Sequence, residues 1–293
     1  MNSAVIRAVT CIWERYSDPL SLADIARSAM LSRFHFARLF KEQTGVSPGQ
    51  FLAAVRIYQA KRMLAVSSMS VAGVCAAVGY GSLGSFTSHF TDSVGVSPSQ
   101  FRRASQHGGV SPCGTPPDSP VPAGAAMGTI RLPEGYAGAR VYVGIFDTRI
   151  LQRRPRSAAL FDVTSQRTHS YWLPGVPAGR WYLHAVAVAD TDEPEPWTQR
   201  HLLVCGGREL AGGREPAVGR GLGELTLRPR SLTDLPALLA LPDLEAELER
   251  LTHPVTHAEG RLPLPAFPTP PARINRMIAC TLAPSSQGCN CTR

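Results

Sequence analysis

Lysine is nearly missing from this chain. Lys41 and Lys61 are the only two in 293 residues, so almost all of the positive charge is arginine. No apolar run approaches the ~18 residues that a membrane helix needs, and Met1 to Ile12 holds no basic stretch followed by an unbroken apolar one. The expectation is a cytoplasmic protein with no membrane partner. Seven cysteines, at 11, 75, 113, 205, 280, 289 and 291, form no framework of close pairs and read as free thiols in a reducing compartment. Also lacking are a nucleophile elbow, paired carboxylates and a cysteine-histidine pair near a shared site, so an enzyme is not expected.

What is present allows two domains, since 293 residues with 44% hydrophobic content suffice for two cores. The formal charge of +8 favours an acidic partner such as nucleic acid. Arginine bias alone is equally what a genome rich in G and C produces. Location is more telling: residues 1 to 107 carry eleven basic side chains against five acidic ones, which is most of the excess.

That same third of the chain is a duplication. Ser47-Pro48-Gly49-Gln50-Phe51 returns fifty residues later as Ser97-Pro98-Ser99-Gln100-Phe101, and the agreement extends back through Gly45/Gly95, Phe40/Phe90, Phe36/Phe86 and Ser32/Ser82. Each copy reads as a short helix, a tight turn and a second helix. In the first copy Ser21 caps a helix over Leu22–Ser28 with Leu22, Ile25, Ala26 and Ala29 inward, and Ser32 starts a helix that Gly45 stops. A longer helix over Phe51–Val66, with Leu52, Val55, Ala60, Met63 and Leu64 buried, joins the copies. The second copy runs from Val71 to Val78, turns at Gly79-Tyr80-Gly81, and resumes at Ser82. Ahead of both, Val5, Val9, Ile12, Trp13 and Tyr16 mark a first helix.

Helix-turn-helix geometry places a helix in a DNA major groove. In the first copy Phe36, Leu39 and Phe40 anchor the second helix, leaving Arg33, Phe34, Ala37, Arg38 and Lys41 outward. Arginine pairs two donors with guanine O6 and N7, so Arg38 is the expected base reader, with Arg33 and Lys41 toward phosphate. Leu83, Gly84, Ser85, Thr87, Ser88 and His89 are the outward residues of the second copy and include no arginine. The expected reader is therefore asymmetric. Arg102 and Arg103 follow the repeat as candidates for the DNA backbone, while His35 and His89 serve equally as surface residues or DNA contacts.

These residues resemble the AraC/XylS family of bacterial transcription regulators. The first copy is similar at Leu22, Ile25-Ala26, Leu31-Ser32, Phe36, Arg38, Phe40-Lys41, Gly45 and Ser47-Pro48, the middle helix at Arg56, Ala60 and Leu64, and the second copy at Ala76, Gly79-Tyr80, Phe86, Phe90, Gly95, Ser97-Pro98 and Phe101-Arg102. The resemblance covers about residues 5 to 103 and implies two helix-turn-helix units joined by a long helix, of the homeodomain-like type. It also implies two recognition helices in successive major-groove segments, roughly 34 Å apart on one DNA face, with RNA polymerase as a further partner. Two departures are evident. The family usually carries this domain at its C-terminus, and Ser88 stands where it often has arginine.

The remainder divides by composition. Residues 105–126 are a Pro/Gly linker after a DNA-binding domain at 1–104, whose helix-turn-helix units span about 21–51 and 70–101. Seven short alternating segments, Thr129–Leu132, Arg140–Phe146, Ala158–Val163, Thr168–Leu173, Arg180–Ala189, Leu202–Cys205 and Glu224–Arg228, imply an all-β sandwich over 127–230. The segment Leu173 to Leu183 resembles prealbumin-like or carboxypeptidase regulatory-like sandwiches. Residues 231–252 read as a helical segment interrupted at Pro236 and Pro242, and 253–293 as a Pro-rich flexible tail. The fold class is thus multidomain, all-α followed by all-β.

Tyr142, Tyr171, Trp172, Trp181, Tyr182 and Trp197 either fill the sandwich core or line a site for a small-molecule or protein effector. His253 and His257 have metal-ligand spacing, but Pro254 disfavours the helix they require, and neither metal nor cofactor is expected. Gly219-Arg220-Gly221-Leu222-Gly223 lacks the flanking strand and helix of a nucleotide loop and reads as a turn. The composite expectation is a DNA-binding regulator modulated through its β-domain. The rival is a protein-interaction module whose sandwich is the working part and whose helices only dock.

Overall fold

The computed structural model describes residues 2–107, 125–164, 168–191, 201–210 and 221–240. Seven helices come first: α1 (Ser3–Arg15), α2 (Leu22–Ser28), α3 (Arg33–Thr44), α4 (Pro48–Val66), α5 (Val71–Ala77), α6 (Leu83–Val94) and α7 (Pro98–His107). Eight strands follow: β1 (Ala126–Arg131), β2 (Tyr136–Phe146), β3 (Ser157–Thr164), β4 (His169–Leu173), β5 (Trp181–Thr191), β6 (His201–Leu210), β7 (Gly221–Thr226) and β8 (Arg228–Pro229). No helix of the described residues is long and apolar enough to cross a membrane.

Local chemistry sets the helix boundaries. Ser21 and Asp24 close a reciprocal capping box on α2, as do Ser47 and Gln50 on α4, where Pro48 occupies the first turn. Because α4 begins at Pro48, it has 19 residues and is about 28 Å long. Gly45 (φ 80°) and Gly95 (φ 92°) end α3 and α6 in the left-handed conformation.

The two copies build a single core. Phe36 and Phe40 of α3, Phe86 and Phe90 of α6, Phe51 of α4 and Phe101 of α7 are all buried in one cluster with Val5, Val9 and Ile12 of α1. Phe40 meets Phe51 edge-on at 5.6 Å, and Phe90 meets Phe101 likewise at 5.8 Å, so the duplicated phenylalanines make duplicated contacts. Leu22 is an exception to the expected inward set, being 42% exposed, and Met63 is only half-buried.

The repeat is not a uniform fifty residues. Between α2 and α5 the interval is 49, and between α3 and α6 it is 50, so the second turn holds one extra residue. Hydrogen bonds show the equivalence: Leu31 N–H donates to Ala26 O at the end of α2, and Tyr80 N–H to Cys75 O at the end of α5. The left-handed residue of each turn is accordingly Met30 (φ 58°) in the first and Gly79 (φ 82°) in the second.

The strands form a three-stranded sheet in the order β4-β1-β7 and a five-stranded sheet in the order β3-β2-β5-β6-β8. All pairs of the larger sheet are antiparallel, with Val141 opposite Phe161 on one side and Ala187 on the other. In the smaller sheet β1 pairs antiparallel with β4 and parallel with β7. One cluster takes Ile130, Tyr171, Leu173, Leu222 and Leu225 from the first sheet together with Val141, Val143, Ile145, Leu183 and Ala187 from the second. The opposite face of β2 and β5, with Tyr142, Phe146, Val186 and Val188, is covered by Leu151 and Leu239. Tyr142 and Tyr171 are therefore buried packing residues, Trp172 is buried, Trp181 and Tyr182 are half-buried, and Trp197 lies outside the described residues.

Two expectations are corrected here. Gly221, Leu222 and Gly223 belong to strand β7 rather than a turn, because Leu222 is buried in the shared cluster and the segment pairs with β1. Residues 231–240 contain no helix. Their amides leave the segment instead: Leu238 and Leu239 N–H donate to Leu151 O, and Ala240 N–H to Val94 O. Pro236 removes a donor in the same stretch, and the carbonyl partners across the fold take precedence. Residues 241–252, the histidines at 253 and 257, and Cys113, Cys280, Cys289 and Cys291 lie outside the described residues. Cys11 and Cys75 are buried free thiols and Cys205 is a half-buried one.

This extended strap, residues 227–240, holds the sheets against the helices. Trp13 Nε1 donates to Leu232 O at 3.0 Å, Lys61 Nζ to Leu239 O at 2.8 Å, and Leu238 is buried in the helical core. The loop after β2 does the same, with Ile150 in the helical core and Arg153 N–H donating to Ser93 O.

Candidate nucleic-acid interface

Positive charge in the helical unit sorts into two uses. Arg7 Nη2 donates to Ala29 O at 3.1 Å, and Arg56 to Tyr16 O and Asp18 O at 2.7 and 2.8 Å. Lys61 is buried on Leu239 O, and Arg102 Nη2 donates to Met69 O. These four side chains satisfy carbonyls left over at helix ends and connections, which is structural work. Arg56 also lies over the Tyr80 ring at 5.9 Å, so it ties the end of α1 to the turn of the second unit, and burial lowers its pKa. Arg15 and Arg27 form surface pairs with Asp18 and Asp24.

Against that pattern, Arg33, Arg38 and Lys41 are exposed and make no hydrogen bond or ion pair among the described residues. All three sit on the outward face of α3, spaced i, i+5 and i+8, which places them along one side of a helix. Phe34, on the same side, is 86% exposed. Ala37 is half-buried between them, and His35 is exposed. Phe36 and Phe40, fully buried on the opposite side, fix the rotation of α3 that presents this row.

On α6 the equivalent face carries Leu83 (48% exposed), Gly84, Ser85 and Ser88, all exposed. Ser82 caps the helix by accepting from Ser85 N–H at 3.2 Å, and its hydroxyl also reaches Ser85 Oγ at 2.9 Å. Ser85 is therefore partly engaged by its own helix. His89 packs on Tyr80, with Nδ1 3.4 Å from the phenol oxygen. A Cβ at Gly84 would meet nothing within 4 Å, so no protein atom requires glycine there.

The expected contact residues thus separate. Arg33, Phe34, His35, Ala37, Arg38 and Lys41 share α3, and Leu83, Gly84, Ser85, Ser88 and His89 share α6. Arg102 is different: it is half-buried and bound to Met69 O, while its neighbour Arg103 is exposed. Ser32 stands at the N-cap of α3 as expected but makes no side-chain cap bond, unlike Ser82. The residue three places on also differs: His35 stands where Ser85 accepts from the Ser82 hydroxyl in the second copy.

The family model described as a helix-turn-helix domain matches residues 25–104. A putative AraC-like transcription regulator of Streptomyces lividans is 31% identical over 102 residues, covering 35% of this chain and 34% of its own. Residues 25–104 are an AraC-type helix-turn-helix domain. The lactose operon transcription activator of Staphylococcus xylosus is 30% identical over 102 residues, 35% of this chain and 37% of that protein. The DNA-binding domain of AdpA, a global transcriptional factor solved in complex with a target DNA, is 31% identical. It aligns over 35% of this chain and 93% of that one, with a TM-score of 0.34. The chain spans about a third of the length of the curated relatives it matches.

Proposed function

We propose that this protein is a sequence-specific regulator of transcription that binds double-stranded DNA through α3 and α6, each in a major-groove segment. The observation that carries the reading is the row of unpartnered cations on α3, Arg33, Arg38 and Lys41, beside a phenylalanine left in solvent. Duplex DNA answers each of these features. Arg38, mid-helix, is placed for a bidentate pair with guanine, Arg33 and Lys41 near the ends for phosphates, and Phe34 for a thymine methyl.

The second helix adds register and weaker discrimination through Leu83, Ser85 and Ser88, and Arg103 holds the backbone. Arg102 is withdrawn from that role by its bond to Met69. The two sheets with their common cluster form a β-sandwich that serves as an effector or interaction domain, with RNA polymerase as a further partner. The relatives named as operon activators and regulators support this reading. A docking platform without DNA would leave the cationic row unanswered.

Titration of mobility shifts against salt tests the reading. Neutralised phosphates release counterions, so the logarithm of affinity falls with the logarithm of salt by about 0.9 per phosphate engaged. A steep slope and a strong preference in selection from a random DNA pool are expected. A folded protein indifferent to every duplex at low ionic strength would overturn the proposal.

A further inference from the structure

A cavity of about 320 Å³ opens where the sheets meet the helices, large enough for a metabolite-sized ligand. Strands β5 and β6 contribute His184, Gly206 and Gly207, and the loop after β2 contributes Arg149. Arg228, Arg230 and Asp234 come from the strap, and Gln43 and Thr44 from the C-terminal end of α3.

The lining is cationic. Arg228 and Asp234 neutralise one another in a bidentate pair at 2.7 and 2.5 Å. Arg149 reaches Glu209 only at 3.4 Å, and that carboxylate is closer to Arg180, at 3.0 Å. Arg230 lies over the rings of Tyr58 and Trp13 at 4.8 and 5.4 Å and donates from Nη1 to Tyr58, while its buried Nε has no acceptor. His184 adds no charge at neutral pH, because burial lowers its pKa to about 4 while its Nδ1 accepts from Gly207 N–H. Arg149 shares one carboxylate with Arg180, and Arg230 forms no ion pair among the described residues, so these two carry the excess positive charge.

We propose that this cavity binds a small organic oxyanion, a metabolite bearing carboxylate or phosphate groups, held by Arg149 and Arg230. The inference deepens the effector part of the proposed function and rests on it. Planar guanidinium groups match such oxygens in two-point pairs, and Gln43 and Thr233 supply neutral hydrogen-bonding groups in the lining, while the Thr44 hydroxyl is held by Phe40 O at 2.8 Å. The site also touches the DNA-reading helix. Arg149 lies against Gly45 at the end of α3, its Cδ 2.7 Å from where a Cβ would stand, so an occupant that draws Arg149 acts on that helix end.

Calorimetric titration of the full chain with citrate, succinate and glycerol 3-phosphate, with glucose and glycerol as neutral controls, tests this. Saturable one-to-one binding of at least one acid is expected, and none of the controls. Arg149→Ala weakens that binding at least about tenfold. Arg149→Lys is the second variant: it keeps the charge but loses the two-point pair, so it also weakens binding, though less than alanine does. Flat heats with every acid, equal affinity in both variants, or tighter binding of glucose than of the acids would overturn the proposal. Mobility shifts run with no small molecule present report on DNA separately. A chain that shifts DNA but titrates flat loses the cavity alone, and one that binds citrate but no duplex loses the regulator reading alone.

Discussion

The two helix-turn-helix units share a skeleton and differ in skin. Phe36 and Phe86, Phe40 and Phe90, Gly45 and Gly95 keep both identity and environment across the repeat, being buried or left-handed in each copy. Outward positions have exchanged character: Arg33 for Leu83, Phe34 for Gly84, Arg38 for Ser88, Lys41 for Thr91. Packing tolerates little change in volume, so the inward residues of a duplicated unit are held to type. Outward residues answer to whatever lies outside, and here only one copy retains a charged face.

The strongest way to break this comparison is to ask whether the copies are separable. Phe86→Ala should cost about 3–5 kcal/mol, and because both copies share one cluster, the whole helical unit should unfold in a single denaturant transition. Two resolved transitions, with the first copy left standing, would refute a common core.

Next in size is the turn. Gly79 and Met30 occupy equivalent left-handed positions, but a Cβ at Gly79 would fall 2.6 Å from Ser17 O, whereas Met30 is 74% exposed. Gly79→Ala should therefore destabilise by at least about 2 kcal/mol, and Met30→Gly should stabilise by about 1. Thermal melts of the two variants should move in opposite directions.

Third, Arg38→Ala should reduce discrimination between cognate and scrambled DNA by about 1 to 3 kcal/mol, and Ser88→Ala by less, as competition binding would record. Equal losses would mean a symmetric reader. The smallest effect is reserved for Gly84→Ala. A helical glycine that no neighbour requires lowers stability by up to about 1 kcal/mol, so alanine should raise the melting point by that margin. If α6 approaches the DNA backbone closely, the same change weakens duplex binding in a filter assay.

Much of the helical unit was legible because its signals are local. Caps, left-handed glycines and phenylalanines at helical spacing each depend on a few neighbours, and the repeat states them twice. The one-residue difference in the turns escaped notice because matching serines and glycines downstream align at fifty, while the hydrogen bonds that define the turn do not. Alternation located the strands, yet β7 was misjudged at Gly221 and Gly223, where glycines in a bulged pairing imitate a turn. The row on α3 was visible as outward charge. That Arg102 and Arg56 are held by carbonyls was not, since their partners lie 33 to 40 residues away and carry no side-chain signature. The strap was hidden for the same reason: the amides of Leu238, Leu239 and Ala240 donate to Leu151 O and Val94 O, far away in the chain.

Ile150 and Leu238 enter the helical core from the far part of the chain. Excising the first 107 residues would thus strip two plugs from the wall of that core and bare a greasy socket beneath the middle helix. Such a fragment would clump or cling to surfaces for reasons unrelated to its recognition helices, and assays of the intact chain are the cleaner measure of what those helices do.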